Sequence, residues 1–68
     1  MGGVRQRIFN DGDRVWCIHQ KIVKNCIVLS YTSPRYYLKS GDLQFYKKAE
    51  FLNPGEFNKK IDIQIELN

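Results

Sequence analysis

No apolar run in the sequence approaches the ~18 residues that cross a bilayer as a helix, and the opening MGGVRQRIF has neither an apolar h-region nor a small-residue cleavage site. A membrane span and a secretory leader are therefore not expected. Cysteine is scarce as well: Cys17 and Cys26 are two, where small secreted scaffolds usually carry four or more, so a disulfide framework is excluded and a reducing, cytoplasmic setting is expected. His19 is the only histidine, and Cys-x-His plus one further cysteine matches no zinc-ligand spacing, so neither a metal nor another cofactor is expected. The chain is also short. At 68 residues it makes one domain at most, and a chain of that size buries only about 60 % of its unfolded surface, which leaves a thin core and no room for a deep catalytic cleft. Apolar residues at the 3.6-residue spacing of an amphipathic helix are absent from every stretch of useful length.

What remains is a β pattern. Nine aromatic residues (Trp16, four Tyr and four Phe) supply the bulk to fold a chain that is otherwise quite polar. After Met1 to Ile8, read as a flexible N-terminus, Asn10-Asp11-Gly12-Asp13 forms a turn signal. Arg14 to His19 and Ile22 to Tyr31 are rich in β-branched and aromatic residues and read as a hairpin, although Gln20-Lys21 is not a dipeptide that favours a tight primed turn. Pro34 ends the second strand. Arg35 to Lys39 and Leu43 to Lys48 read as the next two strands, joined at Ser40-Gly41-Asp42. Ala49 to Leu52 is compatible with a single helical turn or a short strand, and Asn53-Pro54-Gly55-Glu56 stops it. Ile61, Ile63, Ile65 and Leu67 alternate with Asp62, Gln64 and Glu66, which predicts a half-buried strand over residues 61–67 with an acidic outer face. One all-β domain over residues 9–68 follows, a small barrel of five or six strongly bent antiparallel strands, because a flat sheet of this size would leave its edges open to aggregation.

The string Phe9-x-x-Gly12-Asp13-x-Val15, a hairpin, Asn25-Cys26-Ile27-Val28, Tyr36-Tyr37-Leu38-Lys39, a turn at Gly41 and the close Ala49-Glu50-Phe51-Leu52 resembles the SH3-like barrels of the Tudor and KOW type over residues 9–53. The resemblance implies an SH3-like barrel that works as an interaction module. It departs from the family at two places. Cys26 stands where KOW segments usually carry glycine, and the positions of a Tudor aromatic cage, which holds methylated cations by cation–π attraction, fall near His19, Val23 and Lys39. The resemblance therefore implies the fold and not methyl-cation reading.

Charge is distributed unevenly. Nine basic and three acidic residues give +6 over residues 1–49, and two basic and four acidic residues give −2 over residues 50–68. Arg35, Tyr36, Tyr37, Lys39, Tyr46, Lys47 and Lys48 interleave cations with aromatics on two consecutive strands, a composition suited to phosphates and stacked bases. The same residues also suit an ordinary sheet whose lysines guard an edge and whose tyrosines half-fill the core. Trp16 either faces outward as an anchor for a partner or covers a barrel end. Cys17 with His19 lacks the third group that a nucleophilic site needs, and Asp11, Asp13 and Asp42 sit in turns where backbone capping accounts for them. The expectation is a non-enzymatic, monomeric module that binds nucleic acid or a nucleic-acid-processing protein complex through Trp16 and the residues from Arg35 to Lys48. The alternative is a small protein-binding inhibitor or adaptor, of the kind phages and mobile elements encode, acting through exposed aromatics. The alternating strand at residues 61–67 leaves open a homodimer formed by strand pairing.

Overall fold

Val15 and Cys17 alternate with Arg14, Trp16 and Ile18, and Tyr36 and Leu38 with Arg35, Tyr37 and Lys39. A period of two buries one face of a strand and exposes the other, and these segments are strands. The computed structural model describes residues 7–58. The strand expected at residues 61–67 lies outside them. In order the chain forms β1 (Arg14–His19), β2 (Ile22–Thr32), β3 (Arg35–Ser40), β4 (Leu43–Lys48), a single 3-10 turn (Ala49–Phe51) and β5 (Asn53–Pro54). Among the described residues no helix is long and apolar enough to cross a membrane.

All pairings are antiparallel, and the strand order is β4-β3-β2-β1-β5. Among the described residues the sheet is not closed into the expected barrel, and β4 and β5 lie at its edges. The last strand falls at Asn53-Pro54-Gly55, read from sequence only as a stop. It is a strand of two residues, with Val15 opposite Pro54 and Trp16 opposite Asn53, and a proline has no N–H with which to extend the ladder. Gly55, at a φ of 78° that suits glycine, then donates its N–H to the Arg14 carbonyl at 2.8 Å and turns the chain away.

The open sheet is nevertheless strongly curled. His19 of β1 stacks on Phe45 of β4, with ring centroids 4.1 Å apart, although two strands lie between them in the ladder. Curvature comes partly from β2, whose register against β3 shifts between Val28 and Ser30. Such a bulge adds one residue and bends its strand. It also changes which side chains face inward. Cys26 and Val28 are inward, a strict period of two would put Ser30 next, and the extra residue puts Tyr31 there instead, opposite Tyr36.

The concave face holds the core: Val15, Cys17, Cys26, Val28, Tyr36, Leu38 and Leu52, with Phe9, Tyr31, Phe45 and Ala49 packed against it. Tyr36 is central. It is fully buried, meets Phe9 edge-on at 5.5 Å and Tyr31 at 4.5 Å, and its hydroxyl oxygen accepts the backbone N–H of Ile8 at 2.6 Å. The backbone of Ile8 is thereby tied to the core. Asp13 is structural, as its turn position implied: its carboxylate accepts the N–H of Asn10 at 2.9 Å.

The β1–β2 turn carries a built-in cost. Gln20 and Lys21 adopt φ of 53° and 69°, the left-handed values that a two-residue turn between these strands requires, and a side chain there costs about 1–2 kcal/mol per residue relative to right-handed backbone. The double substitution Gln20→Asn with Lys21→Gly should therefore stabilise the domain by about 1 kcal/mol, raising Tm by about 4–8 °C. Thermal melts followed by circular dichroism read the effect, and an unchanged or lower Tm would contradict it.

Candidate functional site

Inward and outward places on β3 are settled by Leu38. With Leu38 and Tyr36 buried, Arg35, Tyr37 and Lys39 face outward. On β4 the half-buried Phe45 and Lys47 share the inner face, which leaves Gln44, Tyr46 and Lys48 outside. The register then joins the outer residues in rows: Arg35 opposite Lys48, Tyr37 opposite Tyr46, and Lys39 opposite Gln44. The result is a row of cations, a row of rings and a third row with one more cation. Neither strand contains an acidic residue.

The middle row is ordered. The rings of Tyr37 and Tyr46 lie 4.6 Å apart, tilted by 39°, and the Tyr37 hydroxyl donates to Gln44 Oε1 at 2.6 Å. Tyr37 is thus held between a cross-strand ring and a side-chain amide, and it supports Tyr46, which is 56 % exposed. Two open hollows have Arg35 and Tyr46 in their walls. One, of about 340 Å³, is lined by Arg35, Tyr46, Lys47, Lys48 and Phe51. The other, of about 260 Å³, is lined by Thr32, Ser33, Pro34, Arg35 and Tyr46.

Of the residues expected at a binding surface, Arg35, Tyr37, Lys39, Tyr46 and Lys48 share this face. Tyr36 does not, because it fills the core; its place in the expected set is corrected by the parity of Leu38. Lys47 points to the inner face, where its Nζ lies 5.9 Å from the centroid of the Phe51 ring. Since β4 is an edge, Lys47 still reaches the rim of the larger hollow. Trp16 is outward but half-buried. Phe57 sits on it with ring centroids 4.9 Å apart, and the Phe57 N–H donates to Asn25 Oδ1 at 2.7 Å. Phe51 was not among the expected site residues, nor was the segment Thr32-Ser33-Pro34. Nothing local in the sequence marks them, since they are brought to the site by the 3-10 turn and by the β2–β3 connection.

The two cysteines are both buried on the inner face and both reduced. Burial pushes the Cys26 thiol up to about 11, with neighbouring Cys17 adding to the rise. Burial also raises Cys17, against the opposing effects of a hydrogen bond with Cys26 and the charge of Lys47. Both are packed, protonated thiols at neutral pH, which is the opposite of the low-pKa, exposed character of a nucleophile. A thiol-specific disulfide reagent at pH 8 should leave both unreacted in the native protein and titrate both in denaturant. A folded-state pKa above the unfolded value means that the folded form binds more protons. The associated stability is therefore intact below about pH 9 and is lost as the pH rises toward 11. Urea midpoints across that range should fall, and prompt labelling of the native protein would contradict the assignment.

Comparison of the chain with known protein families, with curated proteins and with solved structures found no match.

Proposed function

We propose that this protein is a non-enzymatic interaction module of SH3-like architecture that binds nucleic acid, directly or within a nucleic-acid-processing complex, through the outer face of β3 and β4. The SH3-like reading is supported by the five-strand antiparallel order, the bulged and bent β2, the curl that brings His19 onto Phe45, and the short last strand laid on β1.

The binding reading rests on one observation. Arg35 and Lys48 are exposed and directly opposite each other across the β3–β4 ladder. Like charges in that position repel each other across a sheet, and an anion bound between them relieves the repulsion. Phosphate is the natural anion, because the next row presents a supported, exposed ring to which a base can be stacked.

Fluorescence anisotropy with labelled DNA and RNA oligonucleotides at low ionic strength tests the proposal. Saturable binding that weakens steeply with added salt is expected. No binding to either polymer at low salt would discard direct contact with nucleic acid and leave a protein, of a processing complex or otherwise, as the partner.

A further inference from the structure

Resting on the nucleic-acid reading of the β3–β4 face, we infer that the ligand is a single strand, with one unpaired base stacked on Tyr46 and its backbone held in the two hollows that Tyr46 and Arg35 line. Tyr46 is 56 % exposed, yet its ring packs against the cross-strand ring of Tyr37, which is itself tied to Gln44. An exposed ring held in this way offers a flat apolar face at little further entropic cost on binding. A duplex has no use for it: the faces of paired bases are occupied by stacking, and a flat sheet face meets only phosphates and groove edges. An unpaired base has a free face, and every base can use it.

The two hollows are separate, but Arg35 and Tyr46 line both. A ligand that fills both passes over these shared side chains, an extended path that suits a chain better than a compact molecule. Their chemistry differs. The larger hollow gathers Arg35, Lys47 and Lys48 around the Phe51 ring and suits a phosphate beside a base or sugar. The smaller presents the hydroxyl residues Thr32 and Ser33 with Pro34, and apart from Arg35 carries no charge. On the far side of the tyrosine row, Lys39 stands four residues from Arg35 along β3, a span of about 13 Å in a strand. Cations on both sides of a ring suit a backbone that continues past the stacked base.

The test uses the intact chain and one mixed-sequence DNA oligonucleotide, labelled and presented either as a single strand or as a duplex with its complement. The single strand should bind more tightly than the duplex at equal salt. Tyr46→Ala should weaken single-strand binding by roughly 5- to 150-fold, the range for losing one base–aromatic stack, and leave duplex binding nearly unchanged. Tyr46→Phe should keep most of the single-strand affinity, because stacking needs the ring and not the hydroxyl. Tyr46 is exposed, so circular dichroism of both variants should match the parent. Duplex binding as tight as single-strand binding, or a Tyr46→Ala variant that binds the single strand normally, would overturn the inference while leaving a nucleic-acid module in place. Failure of both forms to bind the parent protein would overturn the nucleic-acid reading and this inference with it.

Discussion

Tyr36→Ala should unfold the domain at room temperature. Removing a large buried side chain costs about 3–5 kcal/mol, and a core in a chain of this length rarely supplies more than about 3–5 kcal/mol in total. Tyr36 is fully buried, touches the rings of Phe9 and Tyr31, and its hydroxyl accepts the N–H of Ile8. The loss therefore opens the centre of the core and releases the segment before β1 together. Tyr36→Phe separates the two roles. It keeps the ring and removes only the hydroxyl, so it should cost about 0.5–1.5 kcal/mol, the net worth of one hydrogen bond, and leave oligonucleotide affinity unchanged. Far-UV circular dichroism and urea titration read both variants. A folded Tyr36→Ala protein with near-parental stability would mean that Tyr36 is not the centre of the core.

That pair of variants also marks where sequence reading succeeds and where it stops. The first four strands were legible from their β-branched and aromatic runs, with strong turn signals at two of the three connections: Pro34 after β2, and Ser40-Gly41-Asp42 between β3 and β4. The faces were less legible. Tyr36 and Tyr37 are adjacent and chemically identical, so composition cannot say which one stacks on a ligand and which one fills the core. Leu38 does say, since the residue two places before a buried leucine on a strand shares its face. The same parity, applied from Phe45, sends Tyr46 outward and Lys47 inward.

Other features depend on distant parts of the chain. A two-residue strand containing proline has no pattern to detect, and β5 exists only because Arg14, Val15 and Trp16 lie beside it. The bulge in β2 is equally silent. Ser30 and Tyr31 are both acceptable in a strand, and the curl of the whole sheet decides which of them faces the core. The cover on Trp16 is a tertiary fact too, since Phe57 reaches it across 41 positions of sequence. These cases share a cause: pairing with a remote segment overrides a weak local preference.

Reversing both members of the outer cation pair should all but abolish binding while sparing the fold. Arg35→Glu with Lys48→Glu replaces one like-charge pair by another at exposed, directly opposed positions, so the cross-strand repulsion is retained and stability should change by no more than about 0.5 kcal/mol. Binding has no such compensation. With Arg35, Lys39, Lys47 and Lys48 each neutralising one phosphate of a single strand, log affinity should fall against log salt with a slope of about −2.8. A fourfold rise in salt would then weaken the parent roughly 50-fold, whereas a protein with two of the contacts removed would lose only about 7-fold. At low salt the reversed charges should lower affinity by about 100-fold or more, because like charges brought together at an interface cost several kcal/mol. The single change Arg35→Glu gives the sharpest contrast. It turns a repulsive cross-strand pair into an attractive one and should raise stability by a few tenths of a kcal/mol as it weakens binding. A charge held against the interest of the sheet and in the interest of a ligand predicts opposite signs in the two assays, and a variant that is both more stable and binds normally would show that Arg35 serves no ligand.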